Sequence, residues 1–121
     1  MRKILHTVTW GLGWVTYNKH LPIEAKRFMV EYPPLIEHIE NGGEIEEEDC
    51  IEDENGKYIS VIKSPIVQQM VNEMQKRWPG IEVDTFAAKN LGVEEVPDNC
   101  SVKITEYDGK ESVEYSSDIW L

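Results

Sequence analysis

The sequence predicts an α+β domain: a mainly antiparallel sheet with two or three helices on one face and β-hairpins at both ends. Alternating segments lie near both termini, with Ile4, His6, Val8 and Trp10 at one end and Ser101 to Tyr107 and Lys110 to Tyr115 at the other. A period of two is the strand signature. One clear helical stripe, Ile66, Val67, Met70, Val71, Met74 and Trp78, sits between them. Asn55-Gly56 and Asp108-Gly109 are favoured tight-turn pairs, so each should close a hairpin.

After the first strand, Gly11-Leu-Gly13 interrupts the alternation and Trp14-Val-Thr-Tyr17 resumes it, as in a hairpin or a bulged strand. Pro22 suits the first turn of a helix, where a missing N–H costs nothing. Ile23, Arg27, Val30 and Glu31 keep helical spacing, with Phe28 and Met29 on the apolar side. Pro33-Pro34 must break or kink that helix. Leu35, Ile36 and Ile39 form a second short stripe, which Gly42-Gly43 ends. The acidic stretch Glu44 to Glu54 and the strand-like Lys57 to Lys63 then flank Asn55-Gly56. Charge on that first arm suits an edge strand, because it discourages edge-to-edge pairing. Ser64-Pro65 opens the clearest helix, the serine as cap and the proline at the first helical position. Pro79-Gly80 stops it, Ile81 to Phe86 alternates like a strand, and residues 87 to 99 read as irregular.

A chain of 121 residues makes one domain, residues 1–121. Its 40% hydrophobic content can form a core, and four Trp and five Tyr oppose wholesale disorder. The start Met1-Arg-Lys-Ile-Leu-His6 turns polar too soon for a signal peptide, and no apolar run reaches the roughly 20 residues of a membrane span. A cytoplasmic protein without membrane contact is expected. Cys50 and Cys100 then read as reduced thiols. Two Cys and three scattered His give no zinc spacing, so neither a metal nor a cofactor is expected.

The charge is unevenly divided. The net charge is -11, yet Arg2, Lys3, Lys19, Lys26 and Arg27 face only Glu24 within the first 30 residues. Either the acidic surface meets a basic partner, or the few cations gather and hold an anion. The run from Glu44 to Glu54 is a solvated edge, a metal site or an imitation of a phosphate row. It lacks the spacing of a calcium loop.

Signatures of catalysis are weak, and the chain does not read as an enzyme. There is no nucleophile elbow, no phosphate loop ending in Gly-Lys-Ser/Thr and no His-Glu-x-x-His. Trp10-Gly-Leu-Gly-Trp14 does not extend into a dinucleotide fingerprint. The acidic neighbours of Cys50 argue against a nucleophilic thiol. Phe86-Ala-Ala-Lys89-Asn90 places an aromatic face, a cation and an amide within one short segment. Such groups stack a base, neutralise phosphate and read an adenine edge. The same segment also reads as a core Phe beside a surface loop. Lys76 and Arg77 sit where they complement a helix dipole.

Several strings resemble one family: Leu35-Ile-Glu-His-Ile-Glu-Asn-Gly-Gly43, Gly56-Lys-Tyr-Ile-Ser60, Gly80-Ile-Glu-Val-Asp-Thr-Phe-Ala-Ala88, Val96-Pro-Asp-Asn99 and Ile104-Thr-Glu-Tyr-Asp-Gly-Lys-Glu111. They are similar to the Thoeris anti-defence protein 1 family of phage sponges. The resemblance implies a phage-encoded homodimer or higher homo-oligomer in the bacterial host cytoplasm. Such a protein sequesters a cyclic ADP-ribose isomer without cleaving it, so a host immune effector loses its activator. It implies arginines for the pyrophosphate and an aromatic with an Asn for adenine. Phe86, Asn90 (or Asn99), Lys89, Arg27, Arg77 and Lys57 are the candidates, and no nucleic acid is involved. The chain departs from the family in having no arginine after Arg77, only Lys103 and Lys110. The alternative is an acidic inhibitor, a nucleic-acid mimic that binds a basic groove of a host defence protein.

Overall fold

The computed structural model describes residues 1–117 and shows an α+β fold. In chain order the elements are β1 (Arg2–Thr7), a 3-10 turn (Val15–Tyr17), α1 (Ile23–Val30), α2 (Pro33–Glu40), β2 (Asp49–Glu52), β3 (Tyr58–Val61), α3 (Pro65–Arg77), a second 3-10 turn (Phe86–Asn90), β4 (Leu91–Val96), β5 (Cys100–Tyr107) and β6 (Lys110–Ser117). All pairing among the described residues is antiparallel, but it is divided into three two-stranded ladders, β1-β4, β2-β3 and β5-β6.

Local signals explain most elements. Ser64 caps α3, its Oγ accepting from the Val67 amide at 3.4 Å, and Pro65 takes the first helical position. Val67, Met70, Val71 and Met74 are buried on the expected face, while Ile66 and Trp78 are partly buried beside them. Pro33-Pro34 breaks the helical run: α1 ends at Val30 and α2 starts on the first proline. At Asp108 and Gly109 the φ angles are 50° and 86°, the left-handed pair a tight hairpin turn requires. Gly109 has a second constraint, since a Cβ there would stand 1.9 Å from the Gly11 carbonyl oxygen.

Two strand expectations are corrected. Trp14 to Tyr17 does not pair back on β1. Trp14 is fully buried, with its indole Nε1 donating to the Met29 carbonyl at 3.2 Å, and the chain turns there as a 3-10 segment. The N-terminal hairpin is therefore absent. Instead β1 pairs with β4, from Arg2 opposite Val96 to Thr7 opposite Leu91. That partner falls in the stretch read as irregular. Its Gly92 disguises the alternation, yet a Cβ there would press 2.6 Å from Val8 Cγ1. The second correction is Ile81 to Phe86, which forms no strand. The buried Asn18 side chain takes the place of a neighbouring strand at Asp84. Its Oδ1 accepts from the Asp84 amide at 2.8 Å, and its Nδ2 donates to the Asp84 carbonyl at 2.8 Å.

The core gathers Ile4 and Leu5 of β1, Met29 of α1, Leu35 of α2, Met70 and Met74 of α3 and the loop residue Trp14, all fully buried. Each such side chain contributes about 1.5–3 kcal/mol relative to exposure. No helix among the described residues is long and apolar enough to cross a membrane. Cys50 and Cys100 are both free thiols.

Candidate functional site: a basic groove between α1 and β5

A groove of about 600 Å³ runs between α1 and β5. Arg2, Lys19, Lys26 and Arg27 supply its charge, and Ile4, Val15, Ile23, Val30, Val102 and Ile104 its aliphatic lining. Among the described residues no acidic and no aromatic side chain lines it. That is unexpected in a chain with 23 acidic residues. A neighbouring groove of about 610 Å³ shares Arg2 and Arg27 but also carries Glu31, Glu37 and Glu40, so its charge is mixed.

Helix α1 sets the geometry. Ala25, Met29 and Val30 bury its inner face, which turns Lys26 and Arg27 toward the rim. Arg2 is held rather than free. Its Nε and Nη2 donate to Glu31 Oε1 at 2.8 and 2.5 Å, and its Nη1 donates to the Cys100 carbonyl at 3.0 Å. Arg27 Nε meets the other oxygen of the same carboxylate at 3.4 Å. The Lys19 and Lys26 side chains have no ion-pair or hydrogen-bond partner among the described residues. Two anchored arginines and two unpaired lysines therefore offer an anion both direction and net charge.

A buried carboxylate holds the opposite wall. Glu111 of β6 is 2% exposed. Its Oε1 accepts from the Thr7 amide at 2.9 Å. Its Oε2 accepts from the Trp14 amide at 3.0 Å, the Thr16 amide at 3.0 Å and Thr16 Oγ1 at 2.8 Å. One side chain thus ties β1, the first 3-10 turn and the C-terminal hairpin together. Val15 and Thr16, both groove-lining, are placed by it.

The residues singled out in the sequence are spread more widely. Arg27 alone of them lines the groove. Phe86, Lys89 and Asn90 share the second 3-10 turn, with Lys89 Nζ 5.1 Å from the Phe86 ring centroid. Glu47 neutralises that lysine at 2.5 Å, and the Asn90 carbonyl accepts from the Val8 amide at 3.0 Å. Arg77 ends α3 with its guanidinium 4.7 Å from the Phe28 ring centroid. Lys57 is exposed beside the β2–β3 turn, and Asn99 is exposed between β4 and β5. Arg2, Lys19 and Lys26 were missed as site residues. The concentration of cations in the first 30 residues was the signal that pointed to them.

The acidic run is partly engaged. Glu48 is 7% exposed and accepts from Thr85 Oγ1 at 2.7 Å. Burial pushes its carboxyl above the usual glutamate range, and the hydroxyl only partly offsets this. Glu47 pairs with Lys89, Asp49 pairs with Lys63 at 3.1 Å, and Asp53 Oδ1 accepts from the Asn55 and Lys57 amides. Among the described residues no three His, Cys, Asp or Glu side chains converge as a metal site. No family model matches the chain, and no curated protein and no solved structure matches it either.

Proposed function

We propose that the protein captures a small, multiply anionic nucleotide of the cyclic ADP-ribose type in the α1–β5 groove and releases it unchanged. The cluster of Arg2, Lys19, Lys26 and Arg27 over an aliphatic floor, four cations against the single Glu31 carboxylate that both arginines share, is the observation that carries this reading. Phosphates meet the rim, while ribose and base lie against Val15, Ile23 and Val102. The family resemblance supplies the identity of the nucleotide and the role, depriving a host immune effector of its activator. A sponge must compete with that effector, and nanomolar capture needs roughly 12 kcal/mol. The two lysine side chains have no ion-pair partner among the described residues, so no such pair is lost when the ligand arrives. The acidic-inhibitor reading has less in its favour, because Glu47, Glu48, Asp49 and Asp53 are already used within the chain.

Titrating the protein with cyclic ADP-ribose isomers, then heating the complex and identifying what is released, tests the proposal. Intact ligand after heating and an affinity that the Lys19→Glu, Lys26→Glu double variant abolishes are expected. Unaltered affinity in that variant would move the site elsewhere, and cleaved product would make the protein an enzyme.

A further inference from the structure

The β2–β3 hairpin is an arm without a cover. All eight of its strand residues are exposed. An isolated two-stranded hairpin is marginally stable in water. This one nevertheless carries an aliphatic face. Ile51 lies opposite Ile59, and Asp49 lies opposite Val61 on the same side. Ile51, Ile59 and Val61 are 47%, 41% and 38% exposed. Glu44, Glu46, Glu52 and Glu54 around it have no ion-pair partner among the described residues.

The complement of such an arm is present on the same molecule. The α1–β5 groove has an aliphatic lining and a rim of four cations, of which Arg2 and Arg27 share the Glu31 carboxylate and the Lys19 and Lys26 side chains have no ion-pair partner among the described residues. Two copies with a net charge of -11 repel each other over most of their surface. A contact that sets the acidic arm against the cationic groove removes that repulsion locally, and an isoleucine pair on the arm has an apolar slot to enter. We infer that the β2–β3 arm of one copy docks into the α1–β5 groove of a second copy. The contact is heterologous, joining two different surfaces, so it propagates until a ring closes. The arm and a small anion then compete for the same lysines. Signal capture releases the assembly, and assembly keeps the groove closed to weaker anions.

Sedimentation without any nucleotide separates this inference from the ligand reading. At about 50 mM salt the wild type should sediment as a multiple of its 14.0 kDa chain mass, and about 500 mM salt should weaken association tenfold or more. Ile59→Asp spoils the arm, and Lys26→Glu spoils the groove. Both positions lie outside the fully buried core, so the fold should tolerate each change. Either variant alone should be a monomer. Mixing the two should restore a dimer, because the intact groove of the first meets the intact arm of the second. A wild type that stays monomeric at tens of micromolar, roughly the range of weak association, overturns the inference. So does a mixture that stays monomeric, or association that salt leaves unchanged.

Discussion

Replacing Glu111 by alanine should be the most damaging single carboxylate change in the chain. Its two oxygens accept four hydrogen bonds, from the Thr7, Trp14 and Thr16 amides and the Thr16 hydroxyl, at 2.8 to 3.0 Å. Truncation leaves three backbone donors without that acceptor. Each unsatisfied buried donor costs about 1–3 kcal/mol, and the losses do not add fully. A total of about 3–5 kcal/mol follows, a large part of the roughly 5–15 kcal/mol that holds a domain together. For a domain of this size the melting temperature should fall by about 10–20 °C. Glu111→Gln keeps the shape and one carbonyl acceptor but turns a donor amide toward N–H groups. Its cost should be about half as large. Urea unfolding followed by far-ultraviolet circular dichroism measures both, with a constant slope showing that the denatured state is unaltered. A Glu111→Ala change below about 0.5 kcal/mol would refute the reasoning, since surface substitutions produce shifts of that size. So would a glutamine variant less stable than the alanine one.

Two further predictions concern ionisation and burial. Burial holds the Glu48 carboxyl above the 4.5 of a free glutamate, so the folded state binds its proton more tightly than the unfolded chain. Stability from this group is complete below pH 4.5 and is lost as pH rises through the raised value. Glu48→Gln keeps an acceptor for Thr85, and its melting temperature should decline less across that window; parallel curves would show that Glu48 is not the titrating group. The Tyr32 hydroxyl is buried with no partner at hydrogen-bond distance among the described residues, although the Glu73 carboxylate still discourages its ionisation, and its pKa is pushed up to about 12, chiefly by desolvation. Ultraviolet titration should show one late phenol that Tyr32→Phe removes. That variant should be neutral or up to ~1 kcal/mol more stable, and a loss of stability would reveal a hydrogen bond.

The candidate site was only half legible in the sequence. Scarce cations near the N-terminus were plain to read, and Arg27 was named as a ligand candidate. Phe86, Lys89 and Asn90 share one short turn, with Lys89 Nζ 5.1 Å from the Phe86 ring centroid. Their local chemistry did not show that Glu47 already occupies Lys89. Glu47 stands 42 positions away, and nothing near either residue marks the pair. Glu111 shows the same limit more sharply. It sits in an alternating hairpin strand and reads as one more surface acid. Only the arrival of three N-terminal amides, about a hundred positions distant, makes it a buried anchor.

Helix α3 with its serine cap and proline, the break at Pro33-Pro34, the hairpin turn from Asp53 to Gly56 and the tight turn at Asp108-Gly109 were set by the sequence alone. Each depends on residues within a few positions of one another, through backbone sterics and side-chain periodicity. Tertiary structure decided which strand β1 pairs with, why Ile81 to Phe86 stays unpaired and where Arg2, Lys19, Lys26 and Arg27 meet. Those outcomes turn on which edge is free once Trp14 enters the core, and on which charges the closing chain brings close. Such contacts join residues far apart in sequence, so no local pattern encodes them.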